Sequence, residues 1–407
     1  MVSRTSWGAV ATQFHNQSAG SVSFCLGWQR WTCSWIHGAI GMHVDDGLCG
    51  GASTFMKVLN QLEARFPFGS KRISDFTFTG IHVQQDEEYN IHLDQMSYVQ
   101  NIDPTKIERH RRKQEQESVN EGERQGLRGL IGSLQYAATN TRPDTAARLS
   151  LLQSKINCAK IADLLDANRL LGDAKKHSDS RITISSIPEE QIRIVAYSDA
   201  SFATREKQQS QKGSLILAAH EDVFRQRVAN ANPLSLSSKK IDRVVASTLA
   251  SETFALSHTV DVLNWIRLAW DWVRNPLTPW QRPEEVWKSA YPGIAVVDCK
   301  SLYDVITKNT TPQCQEHRTL IEALVIKNTL KTGIHPHWAH SAAQLADALT
   351  KHMDSYRLWE FLKHWRCCLH EVEEILKQRA DRKAQKNWLS EAVIPKPSSV
   401  LHATWCK

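Results

Sequence analysis

Hydrophobic and polar positions follow different rhythms in the two halves of the chain. Residues 1–38 show little periodicity. Ala39–Leu48 then reads apolar, doubly acidic and turn-like, which predicts a strand running into a tight hairpin. Over 52–66, Phe55, Val58, Leu59 and Leu62 fall on one side of a helix. Phe76–Val83 and Tyr89–Leu93 read as two strands joined by the polar turn Gln84–Glu88. Residues 101–125 are strongly polar, with a basic run from Arg109 to Lys113, and read as a loop, a linker or a charged helix start. A helical rhythm resumes through Leu130, Leu134, Leu149 and Leu152, broken near Arg142–Pro143, and another helix spans 158–177. A short polar joint at 178–190 suggests a domain boundary.

Beyond the joint the pattern becomes compact. Arg193–Tyr197 alternates as a strand and ends on Ser198 and Asp199; Gly213–Ala219 and Pro233–Ser238 read as further strands. Ser247–Trp272 predicts a long helix, with Leu249, Phe254, Leu256, Val260, Leu263 and Ile266 on its apolar side. Residues 274–292, with four prolines, form a connection. Gly293–Val297 is a buried-type strand ending on Asp298. Helices over 299–308 and 315–331, a short strand His335–Trp338 and a helix Ala342–Lys351 complete the series. Short turns between the first strands favour antiparallel pairing, and the later helical crossovers favour parallel additions. The predicted class is α/β: a mixed sheet flanked by helices.

The chain has 407 residues, 41% of them hydrophobic, enough for two or three domains with their own cores. A formal charge of +7 suits a polyanionic partner and equally serves solubility. Nine cysteines without a repeated Cys-x-x-Cys pair exclude a zinc framework and argue against a disulfide scaffold, so reduced thiols and an intracellular setting are expected. No run of 18 apolar residues and no signal-peptide core are present, so no membrane association is expected. The 14 tryptophans cluster at Trp28, Trp31 and Trp35, at Trp265, Trp270 and Trp272, and at Trp359 and Trp365, for packing or base stacking.

The candidate chemistry lies in four acids. Asp199 and Asp298 each follow a buried-type strand, and ends of central strands are favoured ligand positions. Glu252 lies early in the long helix, and Asp347 on a later one. Magnesium prefers oxygen ligands, and paired ions about 4 Å apart need several carboxylates. Acids so gathered repel one another and acquire raised pKa values. An Asp at a strand end also serves as a turn or helix cap, so spacing alone leaves both roles open.

Five blocks extend this reading: Ala196-Tyr197-Ser198-Asp199-Ala200, Ser237-Ser238-Lys239-Lys240, Ala250-Ser251-Glu252-Thr253-Phe254-Ala255-Leu256, Val297-Asp298-Cys299-Lys300-Ser301, and Gln344-Leu345-Ala346-Asp347-Ala348-Leu349-Thr350-Lys351. In this order they resemble the ribonuclease H domain of Copia-type, Pseudoviridae-like retrotransposon Pol polyproteins. The resemblance implies Asp199, Glu252, Asp298 and Asp347 as ligands of two Mg2+ ions, with Mn2+ as substitute. It implies hydrolysis of the RNA strand of an RNA–DNA hybrid. The Lys212–Pro233 segment and the 274–292 connection are longer than in the family. Many ribonucleases H carry a histidine near the last acid, for which His337 and His340 are candidates beside the plainer surface or packing role.

His43-Val44-Asp45-Asp46 resembles the paired-aspartate motif of reverse transcriptases, against the alternative of an acidic hairpin turn. Phe78-Thr79-Gly80-Ile81, Leu93-Asp94-Gln95-Met96-Ser97-Tyr98, Leu130–Tyr136 and Arg142-Pro143-Asp144 extend that resemblance over roughly residues 38–352. It implies an incomplete reverse transcriptase palm over 1–100 and a thumb or connection region over 101–189. The ribonuclease H-like domain follows over 190–352, then a helical, basic C-terminal tail over 353–407 that packs back or binds a protein partner. The 44 residues before Asp45 contain no acid, so the expectation is that this chain alone lacks RNA-directed DNA polymerase activity. Arg109, Arg111, Arg112, Lys113, Arg142, Lys239 and Lys240 are candidate nucleic-acid contacts. A hybrid-specific ribonuclease is the leading expectation, and an inactive retroelement remnant that binds a nucleic-acid duplex is the alternative.

Overall fold

The computed structural model describes residues 12–16, 38–43, 45–205, 208–225, 227–274, 282, 286–287, 290–308, 316–351 and 356–369. Trp28, Trp31, Trp35, most of the proline-containing connection and the charged run to Lys386 lie outside them. The chain divides into two compact units. One draws on Met1–Gln95 and Arg181–Ser186, the other on Met96–Ser180 and Ile187–Lys407.

The first unit holds two antiparallel sheets. Strands β1 (Thr12–Asn16), β2 (Gly38–His43), β3 (Asp46–Gly51) and β4 (Phe68–Ile73) pair in the order β2-β3-β1-β4. Helix α1 (Ser53–Arg65) buries Phe55 and Leu59 with Cys49 and packs Leu62 against them, whereas Val58, expected on the same side, is exposed. The second sheet runs β5 (Asp75–Phe78), β6 (Ile81–Gln85), β7 (Ile91–Asp94), β8 (Ile182–Ile184). The single strand expected over Phe76–Val83 is therefore two. Thr79 and Gly80 both have positive φ, 49° and 79°, the geometry of a tight two-residue hairpin turn that folds the strand back on itself. The segment at 182–184, expected to be a joint, is the edge strand paired with β7.

The second unit combines a helical layer with a sheet. Helices α2 (Met96–Gln100), α3 (Glu121–Asn140), α4 (Ala146–Lys155) and α5 (Ile161–Lys176) enclose a core that includes Leu127, Leu130, Leu134, Leu149, Ile161 and Leu164. Helix α3 opens on a capping box: Asn120 accepts from the Glu123 amide, and the Glu123 carboxylate accepts from the Asn120 amide. The polar stretch before it is mostly loop, as its composition predicts.

Six strands form the sheet: β9 (Ile192–Ser201), β10 (Gln211–His220), β11 (Ala229–Lys240), β12 (Gly293–Val297), β13 (Ile334–Trp338) and β14 (Arg366–Cys367). Their order is β13-β12-β9-β10-β11-β14. The pairs β9–β10 and β10–β11 are antiparallel, while β12 lies parallel to both β9 and β13. This is the mixed sheet expected from the turn lengths, and its strand order and flanking helices are ribonuclease H-like. Helix α6 (Thr248–Arg274) covers one face, where Leu256, Val260 and Leu263 meet Ile194, Ala196 and Ile216. Helices α7 (Lys300–Thr307) and α8 (His317–Leu330) add Leu302, Ile306 and Ile326 to the same core.

One expectation is corrected at the C-terminal end. Residues 342–351 form no α-helix. They make two 3-10 turns, Ser341–Ala343 and Leu345–Leu349, because the Gln344 side chain bonds both Ala346 N and Ser198 O and breaks the helical ladder. The described part of the tail packs back on the unit, one of the two roles expected of it. Helix α9 (Tyr356–His364) buries Leu358 and Phe361, and the left-handed φ of Trp365 (48°) turns the chain into β14, which pairs with β11. No helix among the described residues is long and apolar enough to cross a membrane.

Candidate metal centre

Three acids meet where strands β9 and β12 end side by side. Strand β12 is buried throughout and β9 from Ile194 onward, so their register is fixed by packing on both faces. Asp199 lies near the end of β9, and Asp298 immediately follows β12. Glu252 projects from the second turn of α6, against the opposite face of β9, and accepts a hydrogen bond from the Ala200 amide. Oxygen atoms of Asp199, Glu252 and Asp298 lie within 4.8 Å of one another, the one metal-competent group among the described residues.

Such crowding has an electrostatic cost. Burial raises the Asp199 carboxyl to about 7, with Asp347 and Asp298 pushing further up and Lys351 and Thr350 opposing. Glu252 is held well above the carboxylate range by burial and by the charges of Asp199 and Asp298. Burial likewise raises Asp298. Oxygen-only donors, mutual repulsion and burial fit a hard divalent cation, which offsets the repulsion the acids suffer among themselves. The group could therefore coordinate a divalent metal ion.

Asp347 stands at the edge of this group. Its turn packs on the face of the sheet opposite α6, and its carboxylate is ion-paired with Lys351. Gly213, directly opposite Asp199 on β10, lets that turn approach: a Cβ there would lie 2.8 Å from both Leu349 Cβ and Thr350 Cγ2. The Thr350 hydroxyl donates to the Asp199 carboxylate. Lys351 Nζ lies 3.9 Å from Asp199 Oδ2. At the other strand end, Trp338 Nε1 donates to the Asp298 carbonyl at 2.9 Å, fixing the elbow from which Asp298 projects. Gly213, Trp338, Gln344, Thr350 and Lys351 carry no functional signal by residue type. A lone glycine inside a strand and the immediate neighbours of Asp347 were the only available pointers.

The remaining candidates lie elsewhere. His337, on β13, is half-buried with its pKa lowered by burial, and neither it nor His340 belongs to the acidic group. Lys239 and Lys240 are exposed at the end of β11, and Lys239 pairs with Lys212, which pairs with Ala200. A basic side chain thus shares a transverse row with the residue after Asp199. Arg109, Arg112 and Lys113 are exposed. Two arginines differ from expectation. Arg142 is 1% exposed and donates to Asp144 and to the Ala174 carbonyl, so it does not line a surface path. Arg111 is held by Glu117, Glu123 and the Ser118 carbonyl, which occupy its guanidinium. In the first unit, Asp45 sits in the β2–β3 turn and Asp46 begins β3; among the described residues no third ligand converges on them.

No protein-family model matches this sequence, and no curated protein matches it. Solved structures do match in part. The RNase H1 of the halophilic archaeon Halobacterium salinarum NRC-1 is 12% identical with a TM-score of 0.26, over 39% of this chain and 94% of that one. LC11-RNase H1, isolated from compost by a metagenomic approach, is 13% identical with a TM-score of 0.28, over 41% and 98%. The PFV RNase H domain is 11% identical with a TM-score of 0.23, over 42% and 91%. At these values the likeness carries no argument of its own, and the description of the mixed sheet rests on the order and direction of β9–β13.

Proposed function

We propose that the chain is a retrotransposon-derived ribonuclease that hydrolyses the RNA strand of RNA–DNA hybrids, using two Mg2+ ions held by Asp199, Glu252, Asp298 and Asp347. The observation that carries this reading is the convergence of Asp199, Glu252 and Asp298 at the ends of adjacent parallel strands. The five sequence blocks resembling Copia-type ribonuclease H domains support the choice of substrate. Paired hard cations supply water activation and charge stabilisation at a phosphodiester.

The protein's own contribution is arrangement. Burial on β9 and β12 fixes the carboxylates before substrate arrives, so little reorganisation remains at the moment of reaction. Lys239 and Lys240, exposed at the end of β11, and Arg109, Arg112 and Lys113, also exposed, are the residues proposed to neutralise backbone phosphates.

The test is cleavage of a labelled RNA–DNA hybrid by the full chain, with Mg2+ and with chelator. Metal-dependent cleavage of the RNA strand is expected, with a loss of at least about 100-fold in Asp298→Asn at unchanged fold. Tight hybrid binding without cleavage would support the duplex-binding remnant instead.

A further inference from the structure

The four acids do not share one support. Asp199 and Asp298 ride on the paired strands, and Glu252 on α6. Asp347 rides on a 3-10 turn that reaches the sheet from the other face and is tied there by side chains with no ligand role. Gln344 is 2% exposed. Its Nε2 donates to the Ser198 carbonyl at 2.9 Å, and its Oε1 accepts from the Ala346 amide at 3.2 Å. One amide group therefore joins the residue before Asp199 to the residue before Asp347. Ser201 Oγ donates to the Thr350 carbonyl at 2.8 Å, closing the far end of the same turn.

The acids consequently form a triad and a separately supported fourth member. The triad closes within 4.8 Å without Asp347. Asp347 is turned to Lys351. Resting on the metal-centre reading above, we infer that Gln344 is a positioning residue: it sets Asp347 against Asp199 and so decides whether a second divalent ion is held. Metal–ligand distances tolerate only about 0.2 Å, so a small drift of the turn weakens the ion that needs Asp347 and spares the one held by the triad. A methionine at 344 keeps the size and burial of the side chain but loses both hydrogen bonds, leaving the Ser198 carbonyl without this donor.

The experiment is Mn2+ binding to the full chain, followed by titration calorimetry and by the electron paramagnetic signal of free Mn2+. Wild type is expected to bind two ions. In Gln344→Met the first is expected to stay within about twofold and the second to weaken by about tenfold or more. In an Asp347→Asn background, Gln344→Met is expected to add nothing further, because the residue acts through Asp347. Equal weakening of both ions, no weakening of either, or an undiminished effect in the Asp347→Asn background would overturn the inference. Should Gln344→Met fail to fold, Gly213→Ala displaces the same turn from the sheet side and must give the same selective loss. A folded wild type that binds no Mn2+ would overturn the metal-centre reading itself, a result distinct from wild-type binding left unchanged by the substitution.

Discussion

The ammonium of Lys351 lies 3.9 Å from Oδ2 of Asp199 while it pairs with Asp347. Burial disfavours its charge, but Asp199, Asp347 and Asp298 outweigh burial and raise its pKa. Without metal, Lys351 is the cation that offsets the clustered acids. Lys351→Met is expected to destabilise the metal-free protein by on the order of 1 kcal/mol, between the worth of an exposed pair and that of a buried one. The variant is also expected to gain more melting temperature from Mg2+ than wild type does, since the ion then relieves more repulsion. Thermal melts in chelator and in Mg2+ check this; a metal-free variant more stable than wild type would refute it.

Asp199 gives the metal-free protein a definite pH dependence. Its folded value of about 7 lies above the ordinary 3.8, so between these the folded chain holds a proton that the unfolded chain releases. Stability from this group is fully present below about pH 3.8 and is lost as pH rises toward 7. An Asn at 199 carries no charge to bury. Asp199→Asn is therefore expected to match wild type near pH 4 and to exceed it at about pH 8 by on the order of a few kcal/mol in chelator. Mg2+ is expected to stabilise wild type and not the variant. Urea unfolding across the range reads the difference, and a constant gap at all pH values would contradict it.

Much of this centre was legible because its parts are local. The apolar runs Ile194-Val195-Ala196 and Ala295-Val296-Val297 announce buried strands, and the first acid after each, Asp199 and Asp298, reads as a strand-end ligand. The periodicity of Leu256, Val260 and Leu263 places Glu252 on a helix over the same sheet. What stayed hidden depends on tertiary contact. No local pattern shows that Gln344 reaches Ser198 across 146 residues, so its turn read as ordinary helix. Arg142 read as a phosphate contact because its charge is visible in sequence and its burial against Asp144 and Ala174 is not. The two-residue strand β14 is too short to alternate, and pairing with β11 alone defines it.

Trp338 is the natural probe of the Asp298 elbow. Its indole N–H donates to the Asp298 carbonyl, and Lys300 Nζ sits 5.2 Å from the ring centroid. Trp338→Phe keeps an aromatic ring and removes the donor. The Mg2+ concentration for half-maximal hybrid cleavage is expected to rise about tenfold, with the rate largely restored at saturating metal. A rate that stays low at saturating Mg2+ would place Trp338 at the substrate and not behind Asp298.

The first unit offers a pH readout of its own. His82, on β6, has Asp94 Oδ2 at 2.8 Å from Nδ1 and Asp75 Oδ1 at 3.1 Å from Nε2. With both ring nitrogens facing carboxylates, the protonated imidazole donates at each, whereas the neutral ring serves one well and faces the other with a lone pair. The bond to Asp94 raises its pKa above 6.5, with burial opposing and Asp75 adding to the rise. The stabilising contribution to the β5–β6–β7 sheet is therefore full below pH 6.5 and is lost as pH rises through the higher folded value. Exposure to solvent keeps the effect modest. NMR of the imidazole is expected to show titration above 6.5 in wild type and a downward move in Asp94→Asn, with amide exchange in β6 accelerating over the same range. A ring that titrates at or below 6.5, or one indifferent to Asp94→Asn, would mean that the two carboxylates do not hold the charge in solution.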